Sequence, residues 1–142
     1  MKKLLLIIAI LSSSMAFAQE GVILSKENAN DKGITPIWPT CKAPRRQTQA
    51  QCFDQKLTEH VMRNFQYPEI AMNEGLTGTV NVEFLINKKG KVEVIGVTGG
   101  HRYLQREAIR IIRAIPKMKP GKWGEKPISV AYTVPITFRK AM

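Results

Sequence analysis

Apolar positions along the chain switch between a helical period and a strand period. In "CFDQKLTEHVMRNF", residues 52–65, Phe53, Leu57, Val61 and Phe65 recur every four residues and line one face of a helix. Asp54 and Glu59 precede Arg63, the order a helix dipole favours. Tyr67 and Pro68 then break the chain direction. Proline tolerates the first turn of a helix, so "PEIAMNE" reads as a short second helix with Gly75 as its C-terminal cap. "TVNVEFLI" alternates, with Val80, Val82, Phe84 and Ile86 on one side and Thr79, Asn81 and Glu83 on the other, the pattern of a half-buried strand. "NKKG" places Gly90 where a short hairpin loop needs positive φ. In the return strand "KVEVIGV", Val94 and Ile95 are adjacent and Gly96 follows, which predicts a bulge.

The strongest helix is "RYLQREAIRIIRAI", residues 102–115. Leu104, Ala108, Ile111 and Ile115 form an apolar stripe, and Pro116 ends the helix. "PKMKPGKWGEKP" reads as a loop. "ISVAYTVPITF" then alternates over residues 128–138: Ile128, Val130, Tyr132, Val134, Ile136 and Phe138 face one way, and Ser129, Ala131, Thr133, Pro135 and Thr137 the other. Pro135 cannot donate to a ladder, so this last strand is expected at a sheet edge. The order helix, short helix, strand, strand, helix, strand predicts an α+β fold: a three-stranded antiparallel sheet with helices packed on one face.

The first residues change the picture. Lys2 and Lys3 lead an apolar run from Leu4 to Leu11, three serines interrupt it, and Ala16 and Ala18 stand where a signal peptidase wants small residues. A helix needs about 20 apolar residues to cross a bilayer, more than this run offers. Residues 1–18 therefore read as a signal peptide cleaved between Ala18 and Gln19, and the chain as exported to the periplasm. The rival reading is a retained inner-membrane anchor. Residues 19–51 read as a loop-rich lead punctuated by Gly33, Pro36, Pro39 and Pro44, lying on the domain where Ile37 and Trp38 bury. Residues 52–142 form the domain proper.

Cys41 and Cys52 are the two cysteines of the 142-residue sequence. In an exported chain an even count points to a disulfide. A zinc site lacks ligands, since only His60 and His101 remain to help, and the Cys-x-x-Cys of a redox pair is missing. The formal charge of +11 falls to +9 without Lys2 and Lys3. Export sets nucleic acid aside as the working partner and favours acidic protein surfaces, anionic lipid or cell-wall polymer. Arg102, Arg106, Arg110 and Arg113 form one basic stripe, spread over about 80° of a helical wheel. Its plain reading is a solvated face, although Ile109 falls among the arginines. His60 and His101 read as surface or helix-end residues. No catalytic constellation and no cofactor motif is read. The remaining feature is the long edge strand. Such an edge can add an extended peptide, take a second copy as a homodimer, or aggregate.

The order of these motifs resembles the TonB C-terminal domain. The resemblance runs over residues 64–139: Tyr67-Pro68, an alanine-containing helix, Gly75, Gly78, the alternating strand, Gly90 before Val92, a helix leading to Pro120-Gly121-Lys122, and the final alternating strand. "PIWPTC" at 36–41 with Cys52 looks like the extension on TonB-like proteins of the Bacteroidetes type. The resemblance implies a non-enzymatic periplasmic domain that grips the TonB box of an outer-membrane transporter by strand addition to its last strand. It implies partner contacts at Gln66, Tyr67, Pro68, Ser129, Ala131, Thr133, Pro135 and Thr137. Asn64 stands at the family's more distant glutamine position. Family members that carry a membrane helix and a long Pro-rich spacer are driven by a motor of the ExbB–ExbD type. Neither part is read here, so the leading expectation is a free binding domain. Two alternatives stand beside it: a membrane-anchored energy transducer, and a basic envelope adaptor using the arginine stripe.

Overall fold

The structure, a computed structural model, describes residues 23–25, 33–41 and 48–140. The expected signal peptide and its cleavage point at Ala18 and Gln19 lie outside the described residues. Among the described residues there are three helices and six strands: β1 (Ile23–Ser25), β2 (Gly33–Ile34), α1 (Gln49–Asn64), α2 (Glu69–Asn73), β3 (Gly78–Ile86), β4 (Val92–Thr98), α3 (Arg102–Arg113), β5 (Gly121–Trp123) and β6 (Lys126–Phe138).

The antiparallel sheet runs β5-β6-β3-β4, four strands where the sequence predicts three. The two-residue β2 extends it beyond β5, and β1 joins β6 in parallel. The extra antiparallel strand lies inside the segment read as a loop. Gly124 has φ +62°, which lets it lead a two-residue connection between Trp123 and Lys126, and β5 folds back on the start of β6. Three residues are too few to show alternation.

The long strands follow the predicted pattern. β3 pairs with β6 from Gly78 opposite Phe138 to Ile86 opposite Val130. Val80, Val82, Phe84 and Ile86 meet Val130, Ile136 and Phe138 in the core, with Leu104, Ile111 and Ile112 of α3 packed above. The bulge falls where expected: Glu83 pairs with Gly96 and Phe84 with Val94, leaving Ile95 as the extra residue.

α1 starts three residues earlier than the sequence reading. Thr48 Oγ1 accepts from the Gln51 N–H at 3.1 Å, and Gln51 Oε1 accepts from the Thr48 N–H at 2.9 Å, a complete capping box in a stretch read as polar lead. Cys52, Phe53, Leu57 and His60 are its buried residues. Pro68 is the N-cap of α2 rather than its first helical residue. At the other end Gly75 has φ +66°, the Leu76 N–H donates to the Ala71 carbonyl and the Gly75 N–H to the Met72 carbonyl, a Schellman ending. The lead is tied to this body as expected: Cys41 and Cys52 form a disulfide, Trp38 is buried, and Ile37 bridges Lys119.

Gly90 is constrained twice. Its φ is +80°, and a Cβ there would lie 1.7 Å from the carbonyl oxygen of Met118. Gly124 has the positive φ but open space around it. Gly90→Ala should therefore cost more than about 2 kcal/mol of folding stability and Gly124→Ala about 1 kcal/mol. Urea midpoints of the two variants check this, and equal losses would remove the Met118 contact from the account.

Candidate partner-binding edge

β6 is not the free edge that Pro135 suggested. β3 pairs one side of it. On the other side residues 126–128 pair with β5, and Ser129, Val130 and Ala131 pair with β1. Among the described residues, only 132–138 lack a partner strand on that side. The proline correctly marks this half. It stands opposite Asn81, and without an N–H it cannot complete a doubly bonded pair, so its backbone polar group faces away from β3. Thr133 and Thr137, two residues to either side, share that outward direction.

The open half is held from its core face. The Tyr132 ring stacks 4.5 Å from Phe53 of α1 and 5.6 Å from Phe84 of β3. Phe138 lies 5.1 Å from Phe65 and meets Tyr67 edge-on at 5.7 Å. Both ends of the segment are thus fixed by aromatic contacts, while Thr133, Pro135 and Thr137 are exposed on the outward face. The Thr137 and Thr79 hydroxyls hydrogen-bond across the ladder at 3.0 Å.

The residues singled out in the sequence divide into groups. Thr133, Pro135 and Thr137 lie along the open half. Ser129 and Ala131 lie where β1 already pairs. Gln66, Tyr67 and Pro68 are brought to the far end of the open half by the Tyr67–Phe138 contact. There the Tyr67 hydroxyl donates to the Leu76 carbonyl, so its polar tip is engaged within the domain. Gln66 is exposed, and its N–H donates to Glu107 Oε1 at 3.2 Å. Glu107, which the sequence reading passed over, also holds Arg110 at 2.5 Å. Its carboxylate raises the guanidinium's already high pKa further. Arg110 Nη2 donates to the Asn64 carbonyl at 2.7 Å as well, so it joins α3 to α1. Arg102 lies over the Tyr103 ring at 5.2 Å. All four stripe arginines are exposed, and Ile109 is half-buried.

His101 is an exposed helix-end residue, as read from the sequence, but His60 is not on the surface. His60 is 9% exposed. Its Nε2 lies 2.8 Å from the Ile111 carbonyl, which can only accept, so Nε2 carries the proton and Nδ1 accepts from Asn64 at 3.2 Å. Its place on α1, one turn after Leu57 and Lys56, was the available signal. His101 caps α3 by accepting from the Tyr103 N–H. Among the described residues no group of three or more His, Cys, Asp or Glu could hold a metal, and no helix is long and apolar enough to cross a membrane.

The geometry defines an α+β domain whose distinctive surface is a partly open, internally braced strand edge. Comparison with known proteins agrees. The family described as Gram-negative bacterial TonB protein C-terminal matches residues 63–139, more than half of the chain. The chain belongs to this TonB C-terminal family, whose function lies in outer-membrane transport and whose domain is periplasmic. The solution structure of a Helicobacter pylori TonB C-terminal domain superposes with a TM-score of 0.52 at 23% identity, covering 69% of this chain and 88% of that one; this likeness speaks to fold alone. A shorter form of that Helicobacter pylori domain covers 61% of this chain and 92% of its own at 25% identity, with a TM-score of 0.43, and nothing rests on it. Among curated proteins none matches.

Burial, and secondarily the charge of Asp54, pushes the Tyr132 phenol well above its ordinary range. An unfolded tyrosine ionises near pH 10. The folded state therefore keeps a proton that the unfolded chain gives up, and this stability is present below about pH 10 and lost as pH rises beyond it. Tyr132→Phe should show a shallower loss of stability between about pH 9 and 11, by up to about 1 kcal/mol. Urea unfolding of both proteins across that range checks it, and parallel curves would exclude the phenol as the cause.

Proposed function

We propose that this chain is a periplasmic binding protein, not an enzyme, and that it takes an extended TonB-box-like peptide of an outer-membrane transporter by strand addition to residues 132–138. The observation that carries this reading is the outer side of that half of β6, which has no partner strand among the described residues and is backed by the complete β3 ladder. The backbone groups of Thr133 and Thr137 and the Pro135 carbonyl face this side, and a peptide laid alongside would pair with them. The ring contacts on its core face hold this half of β6 in place, so little ordering is lost on binding. The family's role in outer-membrane transport supports the choice of partner. Gln66, exposed beside the end of the open half, is the side chain best placed to touch the transporter beyond the added strand. An ExbB–ExbD-type motor enters if residues 1–18 are retained as an anchor.

Thr133→Pro is the direct test. Its N–H faces the open side, so the substitution removes a donor from the docking array and leaves the β3 ladder in place. A synthetic transporter TonB-box peptide should bind the wild type and lose at least about tenfold in affinity to the variant. Raising salt from roughly 50 to 500 mM should change wild-type affinity little, whereas docking on the arginine stripe would collapse. Undiminished binding to a folded Thr133→Pro protein would sink strand addition at this edge.

A further inference from the structure

The start of the same edge is already filled by the protein itself. Ile23, Leu24 and Ser25 pair with Ser129, Val130 and Ala131, and β1 is the one parallel strand among the described residues. It comes from a part of the chain far from β6 in sequence and reaches only three residues. A ladder this short is weak: parallel pairing is slightly less stable than antiparallel, and each hydrogen bond contributes about 1 kcal/mol net. Burial on the outward face follows it. Ser129 and Ala131 are half-buried beside β1, and Leu85, opposite Ala131, is 6% exposed. Further along, where none of the described strands is added, Thr133, Pro135 and Thr137 are exposed.

Resting on the strand-addition reading above, we propose that β1 is an internal stand-in for a partner strand. It occupies the first part of the docking edge and sets two binding modes. A peptide confined to residues 132–138 docks beside β1. A longer peptide, reaching residues 129–131, must displace Ile23–Ser25. The segment also states what the covered half accepts: a parallel strand of two branched apolar residues followed by a small polar one. Displacement costs the partner the β1 ladder but frees the lead that carries it, so a long partner changes the lead and a short one does not.

Two measurements decide this. The first uses a synthetic peptide of this chain's own residues 21–28, Gly-Val-Ile-Leu-Ser-Lys-Glu-Asn. It is titrated into the full chain and into the Ile23→Pro, Leu24→Pro double variant, in which β1 cannot donate in either phase of its pairing. The variant should bind it at least about tenfold tighter, with amide shifts centred on Ser129, Val130 and Ala131. Equal affinities, or no binding to either protein, overturn the proposal. The second needs no variant. Hydrogen exchange at the amides of Ile23, Leu24 and Ser25 in the wild type should quicken about tenfold with a transporter peptide long enough to span both halves, and stay unchanged with one of about seven residues. Unchanged exchange with the long peptide bound overturns it too. The strand-addition reading is judged separately by Thr133→Pro, so a transporter peptide that is sensitive to that substitution but indifferent to β1 refutes only the internal stand-in.

Discussion

The pairing of β3 with β6 is the contact on which everything else is built. It runs without interruption from Gly78 opposite Phe138 to Ile86 opposite Val130. Because the side-chain period of a strand is two, this single register puts Val80, Val82, Phe84 and Ile86 of β3 and Val130, Tyr132, Ile136 and Phe138 of β6 on the helix side, and a slip by one residue would turn one strand's set away from it. Phe84 and Tyr132 meet across it, and Phe53 of α1 stacks on Tyr132 from above. Cys52, next to Phe53, carries the disulfide to Cys41, and Trp38 packs edge-on to Phe53 at 5.9 Å. The lead is thus fastened to the middle of the sheet through one ring stack. Each large ring or branched chain buried there contributes roughly 1.5–3 kcal/mol.

What the sequence made legible, and what it hid, follows from element length. Long periodic segments declared themselves: the alternation of 79–86 and 128–138, the stripe from Leu104 to Ile115, the bulge at Ile95. Gly75 and Gly90 were readable because a positive φ narrows the choice of residue. The strands β1, β2 and β5 were not, since two or three residues carry no period and form only because a neighbour offers them a ladder. The early start of α1 was readable in principle, as Thr48 and Gln51 hold the spacing of a capping box. The burial of His60 was harder to see. A polar residue becomes a core member only when partners arrive from elsewhere, here the Ile111 carbonyl from α3 and the side chain of Asn64.

The open half of β6 was only partly legible for a related reason. Proline reports on its own backbone and on nothing three residues away. Pro135 correctly told of a position whose side away from β3 has no partner strand among the described residues. It could not tell that residues 126–131 of the same strand were covered by β5 and β1. Nor could the segment 66–68 be placed by sequence alone. Its position at the far end of β6 depends on Phe65 and Tyr67 closing over Phe138, a contact between residues more than 70 positions apart. The hydroxyl of Tyr67 is spent on the Leu76 carbonyl, so the aromatic pair shapes the end of the edge and leaves Gln66 to face outward.

An edge that stays open must also avoid pairing with copies of itself. Pro135 contributes here as well. In an antiparallel pair of two β6 strands, each copy would bring a position with no donor, and both losses would fall within one short ladder. A partner peptide with ordinary residues meets only one such gap. Proline on an exposed edge is a recognised guard against association. The internal strand shortens the exposed stretch further, to residues 132–138. The net positive charge of the chain would add repulsion between copies. Under the strand-addition proposal a single extended peptide would therefore meet fewer obstacles at this edge than a second folded copy would.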